Sequence, residues 1–393
     1  MKLADRMHRL GTETAFEVLV RARALEAQGR EVVHLEIGEP DFDTPSNIIE
    51  AACSALHNGF THYGPAAGLP QLREAIAEDI SRSRGVSVNA NQVVVTPGGK
   101  PIMFFVIMAL AGPGDEVIYP NPGFPIYESV INFAGATAVP VPLREERDFR
   151  IDVAELERLV SPRTRLIIIN SPHNPCGSTL SVEDLKAIAD IAKKHDIMVM
   201  SDEIYCRIVY EEPFESITQF PGMLDRTIIL DGFSKTYAMT GWRLGYGVMP
   251  EELAGHVAKL MTNTNSCTAA FTQMAGVEAL RGPQQASEAM VKAFRERRDA
   301  IVSGLNEIPG IRCQVPKGAF YVFPNVADIV KEGKFANTKA VADWLLKDAG
   351  VATLSGTAFG EYGEGYLRLS YANSLENIEK AVNWIGKAVR GLD

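Results

Sequence analysis

Short runs of apolar residues alternate with longer amphipathic stretches through the middle of the chain. The runs that we predict to be β-strands are residues 93–95, 116–119, 166–169, 197–200 and 227–230. The stretches between them are long enough for crossover helices, which predicts a mostly parallel sheet. Residues 166–169 are apolar at every position, as is typical of a strand that helices cover on both faces. The sheet is therefore expected to lie inside the protein.

The stretches between the strands show helical periodicity. Ser181 and Asp184 have the spacing of a capping box, and apolar residues such as Leu185 and Ile188 follow at helical period. Residues 102–111 are continuously apolar, but this run is about half the roughly 20 residues that a membrane span needs. We expect both segments to be helices that cover the sheet.

The pattern changes after about residue 285. We predict a charged helix, a strand, a second helix, a second strand and a last amphipathic helix opened by Ser374, the first four at residues 294–305, 318–323, 338–348 and 366–371. Helices and strands in this order predict a smaller α+β domain beside the parallel sheet. The fold class is thus α/β, with a large domain and a small one.

Composition and charge exclude several classes of protein. With 393 residues, 46% of them hydrophobic and 22% charged, the chain is long enough for two or three globular domains. Its net charge of −10 would repel phosphate backbones and anionic lipid surfaces. We therefore expect neither a nucleic-acid partner nor a membrane partner.

The cysteines and the N-terminal region indicate the compartment. The 5 cysteines never occur as C-x-x-C, which argues against a disulfide framework and against a cysteine metal site. Residues 16–25 carry Glu17, Arg21 and Arg23 where a secretory signal would be apolar throughout. We expect a cytoplasmic protein that holds no metal.

Polar clusters directly follow several of the predicted strands. They are residues 96–100, 170–177, 201–205 and 231–235. Ligands of open parallel sheets bind outside the carboxyl ends of the strands. Together, these clusters predict a binding site at one edge of the sheet.

Three features of these clusters each allow two interpretations. Gly98 and Gly99, before a helix that starts near Lys100, form either an ordinary turn or a set of backbone N–H groups for an anion, best a phosphate. Asp202 either caps the next helix or pairs with a cation such as a protonated ring nitrogen. Lys235 is either a surface residue or a covalent nucleophile with a lowered pKa.

A longer motif around the lysine resembles a known family. Residues 234–246, SKTYAMTGWRLGY, are similar to the pyridoxal-phosphate lysine signature of class I/II aminotransferases. Supporting motifs occur in the same order as in that family: G-E-P-D-F at 38–42, Y-G-P at 63–65, N-P-x-G at 174–177, D-E-x-Y at 202–205 and L-R-L-S-Y at 367–371. The overall pattern is most similar to bacterial aspartate and alanine aminotransferases.

The resemblance implies fold type I and a homodimer. In this arrangement a large cofactor domain is joined to a small domain that both chain ends build. Carried over to this chain, it implies an N-terminal segment of residues 1–45 packing with the small domain, a large domain over 46–285 and a small domain over 286–393.

The resemblance also implies how the cofactor is held. Lys235 would form a Schiff base with pyridoxal 5′-phosphate, and Asp202 would pair with its pyridinium nitrogen. Asn174 and Tyr205 would hydrogen-bond the phenolic oxygen of the ring, with Tyr205 on the side of Asp202 if that segment is helical. Phe124 stands where the family stacks an aromatic ring on the cofactor. Lys235, Asp202 and Tyr205 are the implied catalytic residues.

The phosphate of the cofactor would have its own set of partners. Arg243, Ser234 and the backbone of Gly99 and Lys100 would bind it, and Tyr63 would reach the phosphate in the neighbouring subunit. Gly232 stands where many relatives carry a serine, so Ser234 would carry more of the phosphate binding.

Substrate binding is implied by two further motifs. Arg368 would bind the α-carboxylate through its planar fork, assisted by Asn174 and by the backbone near Gly38. The amino group of an L-amino acid would then pass to a 2-oxo acid in a ping-pong reaction.

The sequence motifs do not identify the preferred amino donor. Family members specific for dicarboxylates need a second cation, for which Lys100 and Arg207 are the candidates. Phe124 and Phe320 near the expected pocket favour small or apolar donors.

Other functions fit the sequence less well. A carbon–sulfur lyase or other α,β-elimination enzyme would share the fold and cofactor, and the sequence does not display the leaving-group chemistry that separates it. A cofactor-bound ligand sensor would need a DNA-binding domain, and only about 35 residues precede the first motif. A nicotinamide oxidoreductase would need G-x-G-x-x-G after an early strand.

Overall fold

The computed structural model describes residues 1–333 and 335–392. Its helices are α1 (Ala15–Glu26), α2 (Ser46–His57), α3 (Pro70–Arg84), α4 (Lys100–Leu110), α5 (Ile126–Ala134), α6 (Val153–Leu159), α7 (Val182–Lys194), α8 (Glu251–Thr264), α9 (Ala270–Arg281), α10 (Gln285–Asn306), α11 (Ala327–Glu332), α12 (Thr338–Trp344) and α13 (Leu375–Arg390). Its strands are β1 (Val33–His34), β2 (Val93–Thr96), β3 (Glu116–Asn121), β4 (Thr137–Pro142), β5 (Thr164–Asn170), β6 (Met198–Asp202), β7 (Thr227–Gly232), β8 (Gly245–Val248), β9 (Tyr321–Val322), β10 (Val351–Ala352), β11 (Leu354–Ser355) and β12 (Leu367–Ser370).

A mostly parallel sheet forms the centre of the larger part of the molecule. In the described residues it has seven strands in the order β2-β8-β7-β6-β5-β3-β4. Strands β3 to β7 pair in parallel, and only β8 runs against both of its neighbours. Asn170, at the end of β5, lies opposite Asp202, at the end of β6, so polar groups meet at the carboxyl edge.

Helices cover both faces of this sheet, as the continuously apolar strands predict. Leu166 and Ile168 of β5 pack on one face with residues of α4, α5 and α8. Ile167 and Ile169 point to the opposite face and pack against α7. Burying each such side chain contributes about 1.5–3 kcal/mol to folding. The expected internal α/β sheet is confirmed.

Each strand predicted in this part of the chain is present, within a residue or two of its expected bounds. The sequence pattern did not indicate β4 or β8. Strand β4 contains Pro140 and Pro142, which argue against a strand in the sequence. The strand tolerates these prolines because it lies at the edge of the sheet. Strand β8 contains Gly245 and Gly247, and because glycine is depleted in strands, its sequence did not predict one.

The C-terminal part contains the predicted elements with altered bounds. The charged helix is longer than expected, as α10, and the predicted strand at 318–323 shrinks to β9. The helix expected over 338–348 is split into α12 and a π-helical turn, Leu345–Ala349. Ser374 caps α13 by accepting a hydrogen bond from the backbone of Asn377. Strands β11, β12 and β9 form a small antiparallel sheet.

The N-terminal segment contacts this C-terminal part. Strand β1 pairs in parallel with β10, and the backbone N–H of Ser370 donates to Leu35 over 2.7 Å. Arg297 of α10 binds Asp41 through two hydrogen bonds of 2.6 and 2.9 Å. The domain boundaries after residues 45 and 285 stay a prediction. Among the described helices, none has the length and apolar character required to cross a membrane.

Beneath the carboxyl edge, a buried arginine connects α3 with two strands. Arg84, the last residue of α3, lies 2.9 Å from a carboxylate oxygen of Glu203 and 3.4 Å from one of Asp231. All three side chains are buried. Buried carboxylates without a cation are strongly destabilising, so this arginine is essential to the edge.

We predict that Arg84→Met destabilises the protein by about 3–5 kcal/mol, because two buried carboxylates lose their cation. The measurement is the shift of the urea unfolding midpoint. Arg82→Met on the same helix is the control, since its side chain is 70% exposed and its ion pair with Asp79 should contribute less than about 1 kcal/mol. Equal shifts for the two variants would contradict the interpretation.

Candidate active site

A cavity of about 530 Å³ lies at the carboxyl ends of β5, β6 and β7, where β12 also contributes a residue. Its charged lining residues are Glu13, Glu39, Lys100, Asp202, Lys235, Arg243 and Arg368. They come from the N-terminal segment, the start of α4, the end of β6, the segment between β7 and β8, and β12. The cavity therefore forms only when distant parts of the chain pack together.

Lys235 lies in a loop after β7 and extends into this cavity. Its Nζ donates a hydrogen bond to the backbone oxygen of Gly38 over 2.6 Å, and the ring of Phe320 lies 5.9 Å away. Burial lowers the pKa of Lys235 from 10.5 to about 8, because the charged form loses water. The neutral, nucleophilic form of the amine is therefore far more populated near neutral pH than that of an ordinary lysine.

Asp202 ends β6 and is buried at the floor of the cavity. Its Oδ2 accepts a hydrogen bond of 2.6 Å from the hydroxyl of Tyr127, and its Oδ1 accepts one of 3.3 Å from the backbone of Ile204. Burial raises the pKa of Asp202 to about 6, although both hydrogen bonds favour the ionised form. A cationic group placed against Asp202 would keep it ionised.

An anion-binding corner lies at the N-terminus of α4. Gly99 caps this helix, and Gly98 before it has φ +90, which favours glycine. A Cβ on Gly98 would overlap the guanidinium of Arg243, so the loop needs glycine for the arginine to approach. Ser234 lines the same cavity. Backbone N–H groups, a helix N-terminus and an arginine together suit a phosphate.

Arg368 of β12 faces the opposite side of the cavity. It donates to Oδ1 of Asn174 over 3.3 Å and to the backbone oxygen of Glu36. Its guanidinium lies 4.5 Å from the centre of the Tyr321 ring. Its Nε is buried, and no residue in the described part of the chain accepts a hydrogen bond from it. An unsatisfied arginine donor of this kind suits a carboxylate ligand.

Tyr205 reaches the cavity, but not from a helix. The segment after Asp202 forms consecutive turns over residues 204–207, so the condition of a helical segment is not met. The hydroxyl of Tyr205 lies 2.7 Å from that of Tyr321. Burial raises the pKa of Tyr205 well above its ordinary value, so the hydroxyl stays protonated. It can therefore donate a hydrogen bond to an oxygen of a ligand.

The structure brings most of the sequence-predicted residues together. The lining includes Gly38, Gly99, Lys100, Phe124, Asn174, Asp202, Tyr205, Ser234, Lys235, Arg243 and Arg368. Tyr63 lies outside it and is 90% exposed. Their roles stay a prediction.

Besides Tyr63, the cavity lining also lacks Gly232, Arg207 and Phe320. Gly232 is packed against β8, and a Cβ there would come within 3.0 Å of the Gly245 backbone. Arg207 turns away and pairs with Asp79. Phe320 packs 5.2 Å from Phe294 in the core of the C-terminal part.

The sequence analysis missed other residues that line the cavity, and it missed Tyr127, which lies behind the lining and donates a hydrogen bond to Asp202. Tyr321 lines the cavity in place of Phe320, because neighbouring residues of an extended segment point in opposite directions. Tyr127 of α5 looks like any core aromatic in the sequence, so no pattern distinguishes it. Glu39 belongs to the G-E-P-D-F motif but received no role, and Glu13 comes from a region without clear periodicity; the tertiary structure brings both to the cavity.

Known proteins resemble this chain over its full length. Residues 30–385 match the family described as aminotransferase class I and II. The chain is 42% identical to the aspartate aminotransferase of Pyrococcus horikoshii, over 99% of this chain and 97% of that protein. It is 38% identical to aromatic-amino-acid aminotransferase 2 of Thermococcus litoralis, over 99% of each. The chain belongs to the class I and II aminotransferases.

The solved structures agree with this assignment. The alanine aminotransferase from Pyrococcus furiosus matches with a TM-score of 0.94 and 34% identity, over 99% of this chain and 100% of that chain. The protein is therefore a fold type I transaminase that depends on pyridoxal phosphate.

The cavity of this aminotransferase fits its cofactor. The amine of Lys235, with its lowered pKa, suits an aldehyde. No described residue places a cation against the buried Asp202, and a pyridinium nitrogen would supply one. The corner at Gly98 and Arg243 suits the phosphate. In the described residues no group of at least three His, Cys, Asp or Glu side chains is placed to hold a metal ion.

We predict that covalent attachment of pyridoxal phosphate to the cofactor-free aminotransferase accelerates as the pH rises through about 8 and levels off above about pH 9. The neutral amine is the reactive form of Lys235, and its fraction increases above its lowered pKa. Stopped-flow absorbance measures the rate, with Lys235→Ala as the control for surface lysines. A rate that still climbs steeply towards pH 10.5 would show an ordinary lysine.

Proposed function

We propose that this aminotransferase moves the amino group of an L-amino acid to a 2-oxo acid by a ping-pong mechanism, with Lys235 as the covalent anchor of the cofactor. The observation that carries the proposal is a single cavity containing Lys235, Asp202, Arg243 and Arg368. These side chains provide an amine, a buried carboxylate and two guanidinium groups. Amino-group transfer needs each of these chemistries in one place.

When bound, pyridoxal phosphate supplies an aldehyde that receives the amino group and a ring that withdraws electrons from the substrate Cα. Asp202 would hold the proton on the ring nitrogen, and the hydrogen bond from Tyr127 orients its carboxylate. Asn174 and Tyr205 would donate hydrogen bonds to the phenolic oxygen. Phe124 would stack against the ring.

The phosphate end would be held by backbone as much as by side chains. The N–H groups at Gly99 and Lys100 open α4, where the helix dipole favours negative charge. Arg243 adds a cation, and its Nη1 is anchored by a 2.8 Å hydrogen bond to the backbone oxygen of Thr240. Ser234 would supply a hydroxyl.

Lys235 would act a second time once the substrate amine has replaced it. Its neutral amine would accept the proton from the substrate Cα and return it to the cofactor carbon. The lowered pKa of Lys235 supports this role, since a general base works best when its pKa lies near the working pH.

Arg368 would orient the substrate by its α-carboxylate. Its contacts with Asn174 and the Glu36 backbone hold the guanidinium in place, and its Nε is free among the described residues for a further hydrogen bond. Holding the carboxylate fixes which bond of Cα faces the catalytic amine.

The relatives' names favour transamination over the alternatives. They are aminotransferases with aspartate, aromatic or alanine donors, and they offer no support for the carbon–sulfur lyase or for the sensor. Because these names differ in the donor, they do not select one for this chain.

We also propose a homodimer in the cytoplasm. Tyr63 is 90% exposed and lies outside the cavity of its own chain, which suits a residue that completes a neighbouring site. Ile49 and Leu56 on α2 are also exposed apolar residues, as a subunit interface requires.

The cysteines support the proposed cytoplasmic location. All 5 are free, as is usual in a reducing compartment.

We predict that Lys235→Ala lowers transamination by about 1,000-fold or more, because the base and the covalent anchor are lost together. Cofactor absorbance reports each half-reaction, first with an amino acid and then with a 2-oxo acid. Lys347→Ala, outside the cavity, is the control. Pyruvate and ammonia formed by the wild type without an acceptor would instead identify a lyase.

We predict that mixing inactive Lys235→Ala subunits with impaired Tyr63→Ala subunits restores activity. One site of each hybrid dimer would then contain both Lys235 and a Tyr63 from its neighbour. Sedimentation checks the dimer, and the activity of the mixture checks the shared site. A mixture no more active than its components would contradict the role of Tyr63.

A further inference from the structure

The cavity holds more charge than the proposed chemistry uses. Asp202, Lys235, Arg243 and Arg368 have roles in binding and catalysis. Among the described lining residues, the charged side chains left over are Glu13, Glu39 and Lys100. They come from the N-terminal segment and the start of α4, so they are available to meet the side chain of a substrate.

Lys100 is already engaged within the protein. Its ammonium forms an ion pair with Glu13 and lies 5.4 Å from the centre of the Phe124 ring. The side chain of Glu13 is only 18% exposed and that of Lys100 is 49% exposed, so the pair is partly sheltered from water. Among the described lining residues, Lys100 is the cation whose side chain has no proposed role, and its charge is balanced by Glu13.

Glu39 is the remaining charged residue of these three, and it is negative. Glu39 accepts a hydrogen bond from the hydroxyl of Thr240. Burial lowers the pKa of Lys235, and the carboxylates of Glu39 and Glu13 oppose that effect. Lys100 acts on Lys235 in the opposite direction from Glu13, so Glu39 is the uncompensated acid, and its charge disfavours an additional carboxylate in the cavity.

We propose that Glu13 is a specificity-determining residue, which occupies Lys100 and so disfavours amino donors with a second carboxylate. This inference rests on the proposed function and names its donor class: amino acids with neutral side chains.

The energetic argument compares two donors. A neutral side chain can pack against Phe124 and Phe16 and leave the Glu13–Lys100 pair intact. A dicarboxylic donor must either displace Glu13 from Lys100 or place its distal carboxylate beside Glu13. Both routes cost free energy, because an ion pair is broken or like charges are brought together.

The test compares kcat/KM for aspartate and alanine within each variant, so that general losses cancel. We expect the wild type to prefer alanine. Glu13→Gln should raise the aspartate-to-alanine ratio by about tenfold, since it frees Lys100 and removes a repelling charge. Glu13→Asp, which keeps the charge, should stay close to the wild type. Adding Lys100→Gln to Glu13→Gln should abolish the gain.

A binding measurement separates this inference from the proposed function. Calorimetry on the protein with its cofactor would compare succinate, a dicarboxylate, with butyrate, a monocarboxylate of similar size. Glu13→Gln should tighten succinate about tenfold and leave butyrate unchanged. This readout does not depend on turnover.

Two outcomes would overturn the inference. One is a wild type that prefers aspartate to alanine, and the other is an unchanged preference for aspartate and succinate in Glu13→Gln. Failure to transaminate any donor would refute the proposed function, whereas the succinate measurement would still decide the role of Glu13.

Discussion

Charges buried at the carboxyl ends of β6 and β7 must be compensated inside the protein, and the rest of the site depends on how this is done. Glu203 and Asp231 are compensated by Arg84 beneath the sheet. Asp202, the neighbour of Glu203, has hydrogen-bond donors but no such cation in the described part of the chain, and burial raises its pKa to about 6. Consecutive residues of an extended segment point in opposite directions. The carboxylate of Glu203 therefore contributes to stability through Arg84, and that of Asp202 is available for the cofactor.

Exclusion of solvent also shifts the pKa of Lys235, in the direction opposite to that of Asp202. Burial raises the pKa of Asp202 and lowers that of Lys235, because in each case the charged form is penalised. An acid and a base are thereby brought towards neutral pH within one cavity. Arg368 adds a buried donor without a partner in the described chain. Unsatisfied groups of this kind mark a site whose ligand completes it.

Segments far apart in the chain close the cavity. Gly38 and Glu13 come from the N-terminal segment and Arg368 from β12, while contacts such as Arg297 with Asp41 tie these segments together. The pairing of β1 with β10 serves the same purpose. The substrate end of the cavity is therefore built by both chain ends, and the cofactor end by the sheet.

The parallel sheet, its covering helices, the edge that carries the site and the family could all be predicted from the sequence, because strand periodicity, capping and the motif around Lys235 depend on consecutive residues. The contacts between residues far apart in the chain became visible only in the folded protein: Tyr127 with Asp202, 75 residues apart, and Lys100 with Glu13, 87 residues apart. The tertiary structure also placed Tyr321 rather than Phe320 in the cavity. Such pairs follow from how helices and chain ends pack, and packing leaves no periodic signal along the chain.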